Sequence, residues 1–168
     1  MSGPIQLVNL ALSLVAFGLI AKWYLLPRLS EVRTEEALQP LLLLHSFRHI
    51  GLMFLAGGAV QSTLPSAFAQ PAAFGDLAAS LLAFLALFAL RLGWNGALGL
   101  VWLFNAVGTL DLVNAVSRGV LHDAASGMGA TFWIPSIIVP ALLVTHALIF
   151  LLLARELRSP AATRPDPA

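Results

Sequence analysis

The chain has 168 residues, of which 59% are hydrophobic and 10% charged, with a net charge of +1. A water-soluble domain carries about 25% charged residues, so this composition excludes an ordinary aqueous surface and leaves the lipid bilayer as the solvent. The near-neutral balance offers no global field for nucleic acid, and the absence of cysteine excludes disulfides, thiolate metal sites and thiol catalysis.

The expected fold is all-α: a polytopic membrane protein built as a bundle of five transmembrane helices, one domain over residues 1–158. The first apolar run, 5–26, lacks a basic n-region and a small-residue cleavage site and is too long for a signal-peptide core, so it reads as a retained span. Trp23 and Tyr24 end it with amphipathic rings suited to the headgroup layer. Residues 27–40 form a charged connection bracketed by Pro27 and Pro40, and the second span follows at 41–59, LLLLHSFRHIGLMFLAGGA. A polar loop containing Pro65 and Pro71 leads to the third span, 72–91, whose uniform apolarity predicts lipid contact on most sides. Gly93 suits a left-handed helix cap, so the fourth span, 94–117, should run antiparallel to the third. Gly96, Gly99 and Gly108 allow close backbone approach, which predicts a central place for this span. The fifth, 131–154, should be bent by Pro135 and Pro140. The tail, 159–168, has three prolines in ten residues and is expected to be disordered.

Each run matches a hydrocarbon layer of ~30 Å at ~1.5 Å per residue. Threaded in this way, Lys22, Arg28, Arg33, Arg91, Arg155, Arg158 and Arg164 fall on one side and Arg118 alone on the other. The positive-inside rule then places the N-terminus outside and the C-terminus in the cytoplasm. The odd number of spans and the lack of internal duplication argue against a self-contained inverted-repeat transporter. In its general look the chain resembles small bacterial inner-membrane proteins, which implies a multi-pass protein of the cell membrane.

The chemistry lies in polar residues inside these runs. At 100° per residue, His45, Arg48 and His49 share one face of the second span, continued by Leu52, Ala56 and Ala59. Counted from Leu41, they lie roughly 6–12 Å inside the cytoplasmic boundary. His146, preceded by Thr145, lies at a similar depth on the fifth span, so the four form one layer if the two spans touch. The fourth span carries Asn105 near its middle, then Asp111, Asn114 and Arg118 toward the outside, where Asn9 and Ser13 of the first span could join them. Asp111 and Arg48 fall in opposite halves and are not expected to pair. Each of these residues also has a plain structural use, as a snorkelling side chain or an interhelical hydrogen bond.

Three functions are compatible with this layout. The leading one is binding or moving a small anionic ligand, a lipid or a proton through a pocket of His45, Arg48, His49 and His146, continued outward by Asn105 and Asp111. Conduction would need a homo-oligomer or a partner membrane protein. The second is a b-type haem protein with His49 and His146 as axial ligands, His45 as the alternative, and Arg48 neutralising a propionate. The third is a structural or accessory membrane subunit. Catalysis is not expected: GxSxG, HExxH, Walker and dinucleotide motifs are absent, and the only lysine, Lys22, sits at an interface. The segment 117–123 has the residue types of a lipid-phosphatase motif but the wrong spacing.

Overall fold

A computed structural model describes residues 2–158, so the tail 159–168 lies outside the described residues. Among them the chain is all-helical, 86% helix with no strands. Helix α1 (Ser2–Ile20) continues through a π-helical turn at Ala21–Leu25 into the short α2 (Leu26–Ser30). Helix α3 (Thr34–His45) passes without a break into a 3-10 segment, Ser46–Leu55. Then come α4 (Ser66–Arg91) and α5 (Ala97–Leu121), two 3-10 turns, a π-helical segment at Ile134–Ile138, and α6 (Val139–Arg158). Four helical stretches are long and apolar enough to cross a membrane: Gly3–Ser30, Ser66–Arg91, Ala97–Leu121 and Gly129–Arg158.

The turn chemistry is as the sequence suggests. Gly93 and Gly96 both take left-handed backbone, with φ of 64° and 87°, and between them the chain reverses from α4 into α5. The two prolines of the last helix fall in and just after its π-helical segment, where missing N–H groups already break the regular ladder. Two other prolines behave differently from expectation. Pro40 and Pro71 do not end helices but lie inside α3 and α4, so both helices start six or seven residues earlier than the apolar runs imply.

The second apolar run departs most from its expected form. It is α-helical only to His45 and then becomes 3-10. The buried residues explain why: His45, Arg48, Gly51 and Phe54 recur every third position. A 3-10 helix turns 120° per residue, so this spacing makes one straight buried stripe, where an α-helix would wind it away. His49, one residue beyond Arg48, is thereby rotated off the stripe and is exposed. Leu52 and Ala56 are exposed with it, in place of the stripe expected at 100° per residue.

The stripe packs along α4, antiparallel. Ser46 meets Ser80, Arg48 meets Asp76, and Phe54 meets Phe68 at a ring separation of 5.2 Å. Eight residues on the 3-10 side thus match twelve on the α side, as rises of about 2.0 and 1.5 Å per residue require. Helix α4 is therefore not the lipid-facing support its composition suggests. Its Ala79, Ala83, Ala86 and Ala89 are fully buried, and these small side chains let α3 and α5 approach closely. One core gathers Leu38, Leu42, Ala83, Ala86, Val101, Phe104, Ile149 and Leu153 toward the Thr34 end of the bundle. A second, around Phe54, Phe68, Ala72, Met128 and Ile134, lies toward the other end. Helix α1 is peripheral, with Leu12 and Val15 both more than 60% exposed.

Candidate functional site

Between the two cores lies a layer of buried polar groups centred on Arg48, whose side chain is fully buried. Its Nε donates to Asp76 Oδ1 at 2.8 Å, and Nη2 donates to Asp111 Oδ2 at 2.6 Å. Nη1 donates to the Gly108 carbonyl at 3.1 Å and faces His146 Nε2 at 3.4 Å. Four of the five guanidinium N–H groups are thus placed on protein acceptors.

The remaining partners follow from what each atom can do. Arg48 can only donate, so His146 Nε2 accepts and its proton resides on Nδ1, which donates to Asn105 Oδ1 at 2.6 Å. Asn105 returns a bond from Nδ2 to the His146 carbonyl at 3.2 Å, so the pair locks α5 to α6 in both directions. The His45 ring lies against that of His146 with centroids 4.1 Å apart, and its Nε2 contacts Thr145 Oγ1 at 3.0 Å. His45 Nδ1 is the one buried side-chain nitrogen or oxygen among the described residues that lacks a partner.

Glycines make room for this set. A Cβ at Gly51 would collide with Asp76 Oδ2, and one at Gly75 with Asp111 Oδ1. At Gly108 it would come within 2.7 Å of His146 Cε1 and 2.9 Å of Arg48 Nη1. Three helical segments each give up a side chain where a charged group lies.

The expected pairing of these residues needs correction. Asp111 and Arg48, assigned to opposite halves, form a direct ion pair. The error came from starting the second helix at Leu41. Because α3 begins at Thr34, Arg48 lies about 24 Å along its rod, three residues into the 3-10 segment. From the same end of the bundle, Asp111 is about 21 Å along α5, Asp76 about 22 Å along α4, and His146 about 18 Å along α6. One layer holds them all. The layer brings together His45, Arg48, His146, Asn105 and Asp111 of the candidate residues and leaves His49 out, where its Nδ1 donates to the Ser46 carbonyl at 2.9 Å. Asn114 and Arg118 bond each other near the helix end instead of joining Asp111. Sequence reasoning missed Asp76 and Ser80. The signal was present, since a carboxylate inside an apolar run is as costly in α4 as it is in α5.

The haem reading asks for two imidazoles facing each other across a gap. Axial ligation puts the iron and its macrocycle between two imidazoles, whereas the His45 and His146 rings touch each other. Both nitrogens of His146 are engaged with Asn105 and Arg48. Among the described residues no three His, Asp or Glu side chains are grouped to hold a metal ion.

The class of molecule is now defined: a helical bundle, four of its helices long and apolar enough to cross a membrane, organised around a buried arginine held by two aspartates. The chain belongs to the family described as a domain of unknown function (DUF8737), whose model matches residues 5–154. No curated protein and no solved structure matches it.

Proposed function

We propose that this is a multi-pass cell-membrane protein that binds and exchanges a proton at the Arg48, Asp76 and Asp111 set. The observation that carries the reading is two carboxylates sharing one buried guanidinium in the middle of the bundle. With both ionised, the three groups sum to one negative charge, and a single proton makes them neutral. In a low-dielectric layer that difference is large, and ionisable groups held there are by default candidates for proton and ion pathways. An anionic ligand is a poorer match. It would meet two carboxylates and a guanidinium with one N–H left to offer.

In this reading residues 34–55 are a fifth crossing. Twelve α-helical and ten 3-10 residues make a rod of about 38 Å, enough to traverse the ~30 Å hydrocarbon layer. Five crossings put the N-terminus outside and the C-terminus in the cytoplasm, with all basic residues except Arg48 and Arg118 on the cytoplasmic side.

The test is infrared difference spectroscopy of the protein in lipid films perfused between acid and neutral buffer. A carboxylic-acid carbonyl band that appears on acidification and is lost in Asp76→Asn or Asp111→Asn is expected. Difference spectra unchanged in both variants would refute the proton site. The rival is a purely structural set. It predicts that replacing Arg48, Asp76 and Asp111 together by apolar residues leaves a folded protein with every function intact.

A further inference from the structure

A cleft reaches this set from the Asp123 end of the bundle. It has a volume of about 30 Å³ and runs between α1 and α5, with Leu7, Leu10, Leu112 and Val116 among its walls and Asp76 in its lining. Asp76 is the one charged residue there, and its side chain keeps 13% exposure. A second cavity of about 60 Å³ adjoins it, sharing Gln6, Leu7, Gly119 and Val120, and ends at Asp123. Among the described residues neither cavity is lined by a lysine, arginine or histidine. Leu7 and Val120 are themselves exposed on the outer surface of the bundle, so the walls continue to the bilayer.

We infer that this cleft binds a slim amphiphilic monocation, a primary ammonium carried on a linear apolar chain, with the ammonium on Asp76. Three features select that chemistry. Asp76 lines the cleft and Asp123 the adjoining cavity, and among the described residues no basic side chain lines either. The cleft as a whole holds only one or two water-sized groups, which favours a slim ammonium-bearing chain over a bulky quaternary head. The walls between are aliphatic and continue to the bilayer, where an alkyl chain gains from burial. Among the described residues Arg48 and Asp111 are the charged groups packed around Asp76, with His146 behind Arg48, while α1 lines the cleft with uncharged Gln6, Leu7 and Leu10. With both aspartates ionised this surrounding is negative by one charge, which one ammonium balances as one proton does. The inference rests on the proton reading: the ammonium takes the place of the proton, which leaves the carboxyl group for water.

The test is calorimetric titration of the full chain in non-ionic detergent with hexylammonium, and with hexanol as its neutral analogue, in two buffers of different ionisation enthalpy. Saturable one-to-one binding is expected, with a proton released and hexanol at least tenfold weaker. Asp76→Asn should weaken hexylammonium at least tenfold. Gly119→Leu, which fills the passage away from the charged set, should do the same while the infrared carboxyl titration persists. Hexanol binding as tightly as hexylammonium, or full affinity in either variant, would overturn the site. Ammonium binding without proton release would keep the cation site and refute the exchange. A carboxyl titration without ammonium binding would refute the cation site alone.

Discussion

The two ends of the bundle solve different packing problems. Toward Thr34, leucines fill the space between small alanines, and Leu38, Leu42, Ala83, Ala86 and Phe104 are fully buried. There α3 keeps α-helical backbone, even across Pro40. From His45 onward α4 carries a carboxylate of its own and meets a guanidinium and a second carboxylate, with an imidazole behind them, which need space and aligned donors. The backbone changes to a 3-10 helix at that point, and three glycines replace side chains. Apolar burial tolerates many arrangements of similar volume, whereas a charge network requires one geometry in which every group is partnered. The contrast teaches that, along residues 34–55, the change from α to 3-10 backbone coincides with the arrival of the charges.

Breaking the network should have the largest effect. Arg48→Leu strands two carboxylates in the bundle and should destabilise it by about 3–5 kcal/mol, read as a lower unfolding midpoint in mixed micelles. Adding Asp76→Leu and Asp111→Leu to it should restore much of that loss, since removing a whole buried set is far cheaper than removing one partner. Next come the glycines. Gly75→Ala, whose Cβ would collide with Asp111 Oδ1, should cost about 1–3 kcal/mol. Gly99→Ala, where nothing lies within 4 Å, should be neutral or stabilising in the same assay. An equal effect of the two would mean that the charged layer is not close-packed. A smaller loss is expected for Ser80→Ala, which removes the bond from Ser80 Oγ to the Ser46 carbonyl where the 3-10 segment begins, worth about 1 kcal/mol. The smallest concerns His49. His49→Ala should leave stability and the carboxyl titration unchanged, while His146→Ala, which orphans Asn105 Oδ1, should lower the unfolding midpoint.

Most of the architecture was legible from the chain. Long apolar runs, the turn at Gly93 and the irregular π-helical segment at Pro135 all report local preferences, which act within a few residues and survive in the tertiary structure. That Arg48, His146, Asn105 and Asp111 stand out as groups needing partners was legible too, because a polar group in an apolar run must be partnered. Asp76 was equally visible in FGDLAAS, but the alanines around it read as featureless when they are the small residues of a close helix contact.

What only the tertiary structure decided is which of these groups meet. Pairing Arg48 with Asp111 depends on where α3 begins, and Pro40 marks the wrong place because a proline is tolerated inside that helix. Separating His49 from Arg48 depends on 120° per residue in place of 100°, a choice that the stretch Ser46–Leu55 does not make alone. It is made with α4, whose Asp76 and Phe68 receive Arg48 and Phe54 of the stripe while Ser80 bonds the Ser46 carbonyl, so the backbone takes the pitch at which these partners are satisfied.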